Sequence, residues 1–257
     1  MQRTKKKKAH SLINQLTQNN MQKTINNNTH NICFIGIKKA LENGQTAFNI
    51  RGSGLLLEGK KVISCAHVYN EIPTDFRDSI FVGIIRNKTN ETIQSYSFYE
   101  ISLLNMNDAR DIASFSIKDD EDSLKDHGIP QTMLMKEVEI NNLIPTTPVY
   151  FAGFPLANEF MNMGMGVTFL ISQCIIGAVK FSNKDKKVDF VLVDKHINPG
   201  NSGSPVFLEN KIIGLASGTI NQTNKIGESV INVPVGVGIV RTSNYILDLL
   251  SDGGSNG

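Results

Sequence analysis

Residues 196–207 read HINPGNSGSPVF. Pro199, Gly200, Gly203 and Pro205 crowd around one serine, Ser202, and the segment then turns apolar at Val206 and Phe207. Such a run predicts a cramped turn that feeds a short buried strand. The chain on either side repeats that grammar. Before it come NICFIGIK (31–38), TAFNI (46–50), GSGLLLE (52–58), KKVISCAHV (60–68), SIFVGIIR (79–86), YSFYEISLL (96–104) and DIASFSI (111–117). A second series follows from Pro148: PVYFAGF (148–154), GVTFLISQCIIGAVK (166–180), VDFVLV (188–193), SPVFLE (204–209), KIIGLASG (211–218) and VGVGIV (235–240). Val, Ile and Phe dominate these segments, and Asn43-Gly44 and Glu58-Gly59 mark turns, which is the rhythm of antiparallel β-structure.

The expected fold is therefore all-β, two antiparallel six-stranded barrels side by side, residues 31–125 and 148–240, joined by a connector at 126–147. Gly52-Ser53-Gly54 reads as a bend between two strands, not as a phosphate cradle. In RTSNYILDLLSDGG (241–254), Tyr245, Ile246, Leu249 and Leu250 fall at helical spacing, so residues 241–257 predict a short terminal helix packed on the second barrel, with a tail.

The chain has 257 residues, with 40% apolar and 19% charged residues, a composition that suits a globular protein with a sizeable core. Residues 1–30 are polar and rich in Asn and Gln, a basic arm expected to lie outside the core. Arg3 and the four lysines at 5–8 hold five of the 26 basic residues, leaving 21 against 24 acids, a balance of −3 for the rest. A slightly acidic body without a basic, aromatic-studded groove argues against nucleic acid as a partner, except through the arm. Cys33, Cys65 and Cys174 are odd in number and lack CxxC spacing, so neither a disulfide framework nor a metal site is expected, nor any cofactor. With no apolar run suited to export or to a membrane span, the expected compartment is the cytoplasm.

A serine hydroxyl attacks a carbonyl only when a base takes its proton and donors meet the oxyanion. The glycines about Ser202 suit such a donor set, from Gly200, Asn201 and Ser202. Of the five histidines, His10 and His30 lie in the arm, His127 in the connector and His196 beside the serine, which leaves His67, at the end of the strand KKVISCAHV, as the base. Asp111 opens an apolar strand, either as an ordinary strand-edge residue or as the group that orients His67.

GSGLLLEGKKVISCAHV, ARDIASFSI and HINPGNSGSPV together resemble the His, Asp and Ser blocks of the trypsin-like serine peptidases, and most of all the HtrA-like (Deg) proteases. VYFAGFP and VGVGIV extend the likeness over about residues 31–250. The resemblance implies peptide-bond hydrolysis through an acyl-enzyme, with His67 as general base, Asp111 as its partner and Ser202 as nucleophile. It also implies a polypeptide substrate, a side-chain pocket near His196, where an imidazole would suit an acidic or amide side chain, and a substrate-pairing edge at Ala216, Ser217 and Gly218. Two departures stand out: Ser204 replaces the usual glycine after NSG, and no PDZ domain is expected after residue 257. An activating or inhibitory protein partner is a further expectation, and a catalytically silent binding module of the same fold is the alternative.

Overall fold

The computed structural model describes residues 31–40, 44, 46–87, 95–118, 143–209, 211–226 and 229–252. The expected basic arm, most of the connector and the final residues lie outside them.

Strands β1 (Ile32–Ala40), β2 (Thr46–Leu57), β3 (Lys61–Ser64), β4 (Ile80–Asn87), β5 (Ser95–Asn107) and β6 (Ile112–Ile117) close into one antiparallel barrel in the order β1-β2-β3-β6-β5-β4. Strands β7 (Pro148–Gly153), β8 (Leu170–Phe181), β9 (Val188–Val193), β10 (Pro205–Leu208), β11 (Lys211–Ile226) and β12 (Ser229–Thr242) close a second, in the order β10-β11-β12-β9-β8-β7. The chain is thus all-β, two closed six-stranded barrels with a short C-terminal helix, as the segment pattern predicts. Along β5 the period of two is plain: Ser97, Tyr99 and Ile101 are buried, while Phe98, Glu100 and Ser102 face outward.

The α-helices among the described residues are short: α1 (Ala66–Asn70), α2 (Ala157–Asn162) and α3 (Ser243–Asp252). The first barrel's core extends beyond its own strands. Phe34 meets Phe154 edge-to-face at 5.1 Å, so an aromatic from the end of β7 plugs into the first barrel. Tyr245, Ile246 and Leu249 of α3 join that same cluster. The helix expected on the second barrel packs there, against β11 and β12, and its buried stripe reaches β5 and β6 of the first as well. Among the described residues no helix is long and apolar enough to cross a membrane.

Two other local readings change. Gly52-Ser53-Gly54 lies inside one continuous strand, β2, and not between two. Strand β3 stops at Ser64, so His67 sits in the first turn of α1 instead of at a strand end.

Candidate active site

Asp111 is held in a conformation that few L-residues adopt. It follows a 3-10 turn, Asp108–Arg110, and takes φ 52° and ψ 49°, in the left-handed region. Asn107 caps the turn by accepting the Arg110 N–H at 3.1 Å, the Asp111 N–H donates to the Asp108 carbonyl at 3.1 Å, and Asn70 of α1 donates to the Asp108 carboxylate at 2.7 Å. The turn aims the Asp111 carboxylate at α1. There it accepts the backbone N–H of His67 at 3.0 Å and lies 2.9 Å from His67 Nδ1. Ser217 Oγ donates to its other oxygen at 2.5 Å.

Burial favours the neutral form of both groups, but the contact outweighs it in each. Burial pulls the His67 imidazole down, yet the hydrogen bond and charge of Asp111, with Glu71 behind, raise it above the ordinary histidine value. Burial pushes the Asp111 carboxyl up, while His67 and Ser217 hold it below the ordinary carboxylate value. With Nδ1 facing the carboxylate, Nε2 is the ring nitrogen whose lone pair can take a proton.

The serine turn is fixed from both barrels. Ser53 of β2, fully buried, donates its hydroxyl to the Gly200 carbonyl at 2.7 Å and accepts the Phe154 N–H at 2.9 Å. Its own N–H donates to the Ser202 carbonyl at 2.7 Å. From behind, the Leu156 N–H donates to the Pro199 carbonyl at 2.8 Å, which sets the plane of the Pro199–Gly200 peptide and turns the Gly200 N–H the opposite way. Gly200 and Gly203 have φ of 88° and 89°. At Gly203 a Cβ would strike the Ser53 carbonyl and the Ser64 hydroxyl, so glycine is required there for space as well as for conformation.

The N–H groups of Gly200 and Ser202 have no acceptor among the described residues, which suits oxyanion donors. Asn201 departs from the expected set, because its N–H is bound in the turn to the Asn198 carbonyl at 3.0 Å. Ala216 likewise departs from the expected pairing edge: its N–H donates to the Ser204 carbonyl and its carbonyl accepts from Gly203, so neither is open to a peptide. The free edge starts at Ser217, whose carbonyl accepts Ser202 Oγ at 3.0 Å. No hydrogen bond joins Ser202 Oγ to His67 among the described residues.

Beyond Gly218, Thr219 Oγ1 accepts the Ile197 N–H at 2.8 Å and reaches the Ile197 carbonyl at 3.2 Å, tying together the two chain segments that flank Ser202. Neighbouring His196 is half-buried, with Nδ1 enclosed and without a hydrogen-bond partner among the described residues. Cys65, His67 and Asp111 bring possible metal-ligand atoms within 4.8 Å of one another. Those atoms already have partners, since Cys65 Sγ contacts the Ala216 carbonyl at 3.4 Å, and burial followed by the Asp111 charge pushes its thiol well up. A metal ion would have to break the His67–Asp111 contact.

Ser53, Leu156, Ser217 and Thr219 are contributions that sequence reading did not assign to the site in these roles. Ser53, inside the quoted GSG, and Ser217, in the expected substrate-pairing edge, lay in stretches already singled out.

Comparison with known proteins agrees with this architecture. The chain is 26% identical over 189 residues to Do-like 3, mitochondrial, and 25% identical over 201 residues to Do-like 13, two Arabidopsis thaliana proteins named provisionally as proteases. The matches cover 72% and 76% of this chain but 28% and 36% of those relatives, so the chain spans about a third of their length. The model of the trypsin-like peptidase domain matches residues 52–215, more than half of the chain and inclusive of His67, Asp111 and Ser202. The chain belongs to the trypsin-like peptidase domain family.

Proposed function

We propose that this protein is a serine endopeptidase in which Ser202 is the nucleophile, His67 the general base and Asp111 the group that orients and charges the imidazole. The observation that carries the reading is the bonding of one carboxylate, Asp111, to both the ring and the backbone of His67, while Nε2 has no hydrogen bond among the described residues. In the reaction Ser202 Oγ attacks the scissile carbonyl carbon and its proton passes to His67 Nε2. The oxyanion is met by the N–H groups of Gly200 and Ser202, the C–N bond breaks as His67 returns the proton to the amine, and water then releases the acyl group by the same route.

Ser202 Oγ rests on the Ser217 carbonyl, and rotation about its Cα–Cβ bond exchanges that acceptor for His67 Nε2. An extended substrate adding to the open edge at Ser217 competes for the same carbonyl with its own N–H, so substrate binding and nucleophile release are coupled. The resting bond is also what favours the second reading, a binding module without turnover, in which Ser202 never leaves Ser217. Control by a protein partner fits a nucleophile that needs to be released, and the cytoplasm fits three reduced thiols.

At the cleavage site, half-buried His196 beside the Thr219–Ile197 bridge suits an acidic or amide side chain of the substrate. Incubation with a mixture of internally quenched peptides and sequencing of the products tests the proposal. Cleavage that disappears in Ser202→Ala is expected. Intact peptides with retained peptide binding would favour the binding module.

A further inference from the structure

The Asp111 turn belongs to the first barrel, yet one of its residues reaches out of it. Arg110, next in sequence to Asp111, extends to the second barrel and donates from Nη1 to Asp189 Oδ1 of β9 at 2.5 Å. Its guanidinium lies 4.0 Å from the centre of the Tyr245 ring in α3. Side-chain exposures of 24% for Arg110 and 25% for Asp189 make this a partly desolvated pair. Asp189 is itself flanked by Arg241 of β12, with Nη1 at 3.9 Å, and Arg241 rests near the Phe190 ring at 5.7 Å. Asp185, Lys187 and Asp248 lie around the same joint, with Lys187 paired to Asp248 at 3.0 Å.

We propose that Arg110 is a positioning residue: by tying the left-handed Asp111 turn to Asp189 and Tyr245, it makes the placement of the Asp111 carboxylate depend on the seating of the second barrel and α3. The physical need is clear. A non-glycine residue in the left-handed region is held at a cost of order 1 kcal/mol or more and persists only when its surroundings fix it. Asn107 and Asn70 fix the turn from within the first barrel. Those bonds stay within the first barrel; from the second, Ser217 reaches the carboxylate itself and Asp189 holds Arg110 beside it. The guanidinium is suited to this because it can bond in its plane and stack on its face at once, which lysine cannot. The consequence is a mechanical link from Asp189 and Tyr245 to the proposed catalytic acid through the Arg110 side chain, beside the direct contact of Ser217 with the carboxylate.

This inference rests on the proposed triad, and its test has one readout that needs no turnover. In the full chain, the low-field proton resonance of the His67 Nδ1–H facing Asp111 is recorded by NMR for the intact protein and for Arg110→Ala, Arg110→Lys and Asp189→Ala. Labelling by a fluorophosphonate and the separate kcat and KM for a peptide are measured alongside. The resonance should shift or broaden in Arg110→Ala and Asp189→Ala, with kcat or labelling falling about 10- to 100-fold at little change in KM. Arg110→Lys should recover part of the loss. An unchanged resonance in both variants, or losses that track only the fall in folded fraction by thermal unfolding, would overturn the link. If the intact protein shows the resonance but never labels, the triad reading fails while the link is still tested by the resonance alone.

Discussion

Replacing Ser53 by alanine removes one oxygen atom from a site with no solvent exposure, and its effect should far exceed that of an ordinary serine substitution. The hydroxyl has two partners: it donates to Gly200 in the serine turn and accepts from Phe154 at the end of β7. Leaving a buried N–H or C=O unpaired costs about 1–3 kcal/mol. The Phe154 N–H bond is fully buried and takes that cost in full, whereas the Gly200 bond is partly accessible and takes less. The sum is about 2–3 kcal/mol, which for a protein of this size lowers Tm by roughly 5–10 °C. The Gly200 carbonyl also loses a restraint on the loop that carries the proposed oxyanion donors, so fluorophosphonate labelling should slow even where the protein is fully folded. Thermal unfolding and labelling at a temperature well below both midpoints separate the two effects. Ser116→Ala serves as the control, since among the described residues its hydroxyl reaches only the Ile117 carbonyl, at 3.5 Å, and it should move stability by less than about 0.5 kcal/mol. A Ser53→Ala protein that melts within 2 °C of the intact one, roughly the resolution of the comparison, and labels at an unchanged rate would refute the role assigned to this serine.

Labelling should rise with pH through an inflection above about 6.5, because only neutral His67 accepts the proton and Asp111 raises its pKa. In Asp111→Asn burial acts on His67 without the carboxylate, so the inflection should move to lower pH while the plateau falls by about 10³–10⁴. The Asp111 pKa is lowered on folding, so its stabilisation is complete above the ordinary carboxylate value near 3.9 and is lost as pH falls through the lower folded value; unfolding midpoints measured across that window should drop in the intact protein and stay flatter in Asp111→Asn. Gly203→Ala should lose about 3 kcal/mol or more, and labelling with it, because its Cβ meets the Ser53 carbonyl. Gly59→Ala has similar positive φ but open space around it, so it should cost only about 1–2 kcal/mol. Urea titrations of the two distinguish space from conformation.

The barrels were legible because their inward residues alternate within short apolar runs, as along β5, and because turns fall between them. The outer halves of β11 and β12 were not. NQTNKI and SVINVP form a ribbon in which Gln222 pairs with Val233 and Thr223 with Asn232, beyond any barrel core that would demand an apolar pattern. His67, Asp111 and Ser202 could be picked out by residue type and chain order. What distinguishes Asn201 and Ala216 from their neighbours could not, since it depends on which way each backbone N–H points, and the turn at Asn198 and the Gly203–Ser204 pairing decide that. Ser53 and Arg110 escaped for a related reason. Each acts across a gap between barrels, Ser53 on Gly200 and Arg110 on Asp189, and such contacts have no signature in local sequence.

The most direct test of the central claim, that His67 activates Ser202, is covalent labelling of the purified protein by a fluorophosphonate, run beside Ser202→Ala and His67→Ala. Labelling of the intact chain on Ser202, absent from both variants at equal folded fraction, is the predicted result. Labelling that persists in His67→Ala, or a folded intact chain that is never labelled, would contradict it.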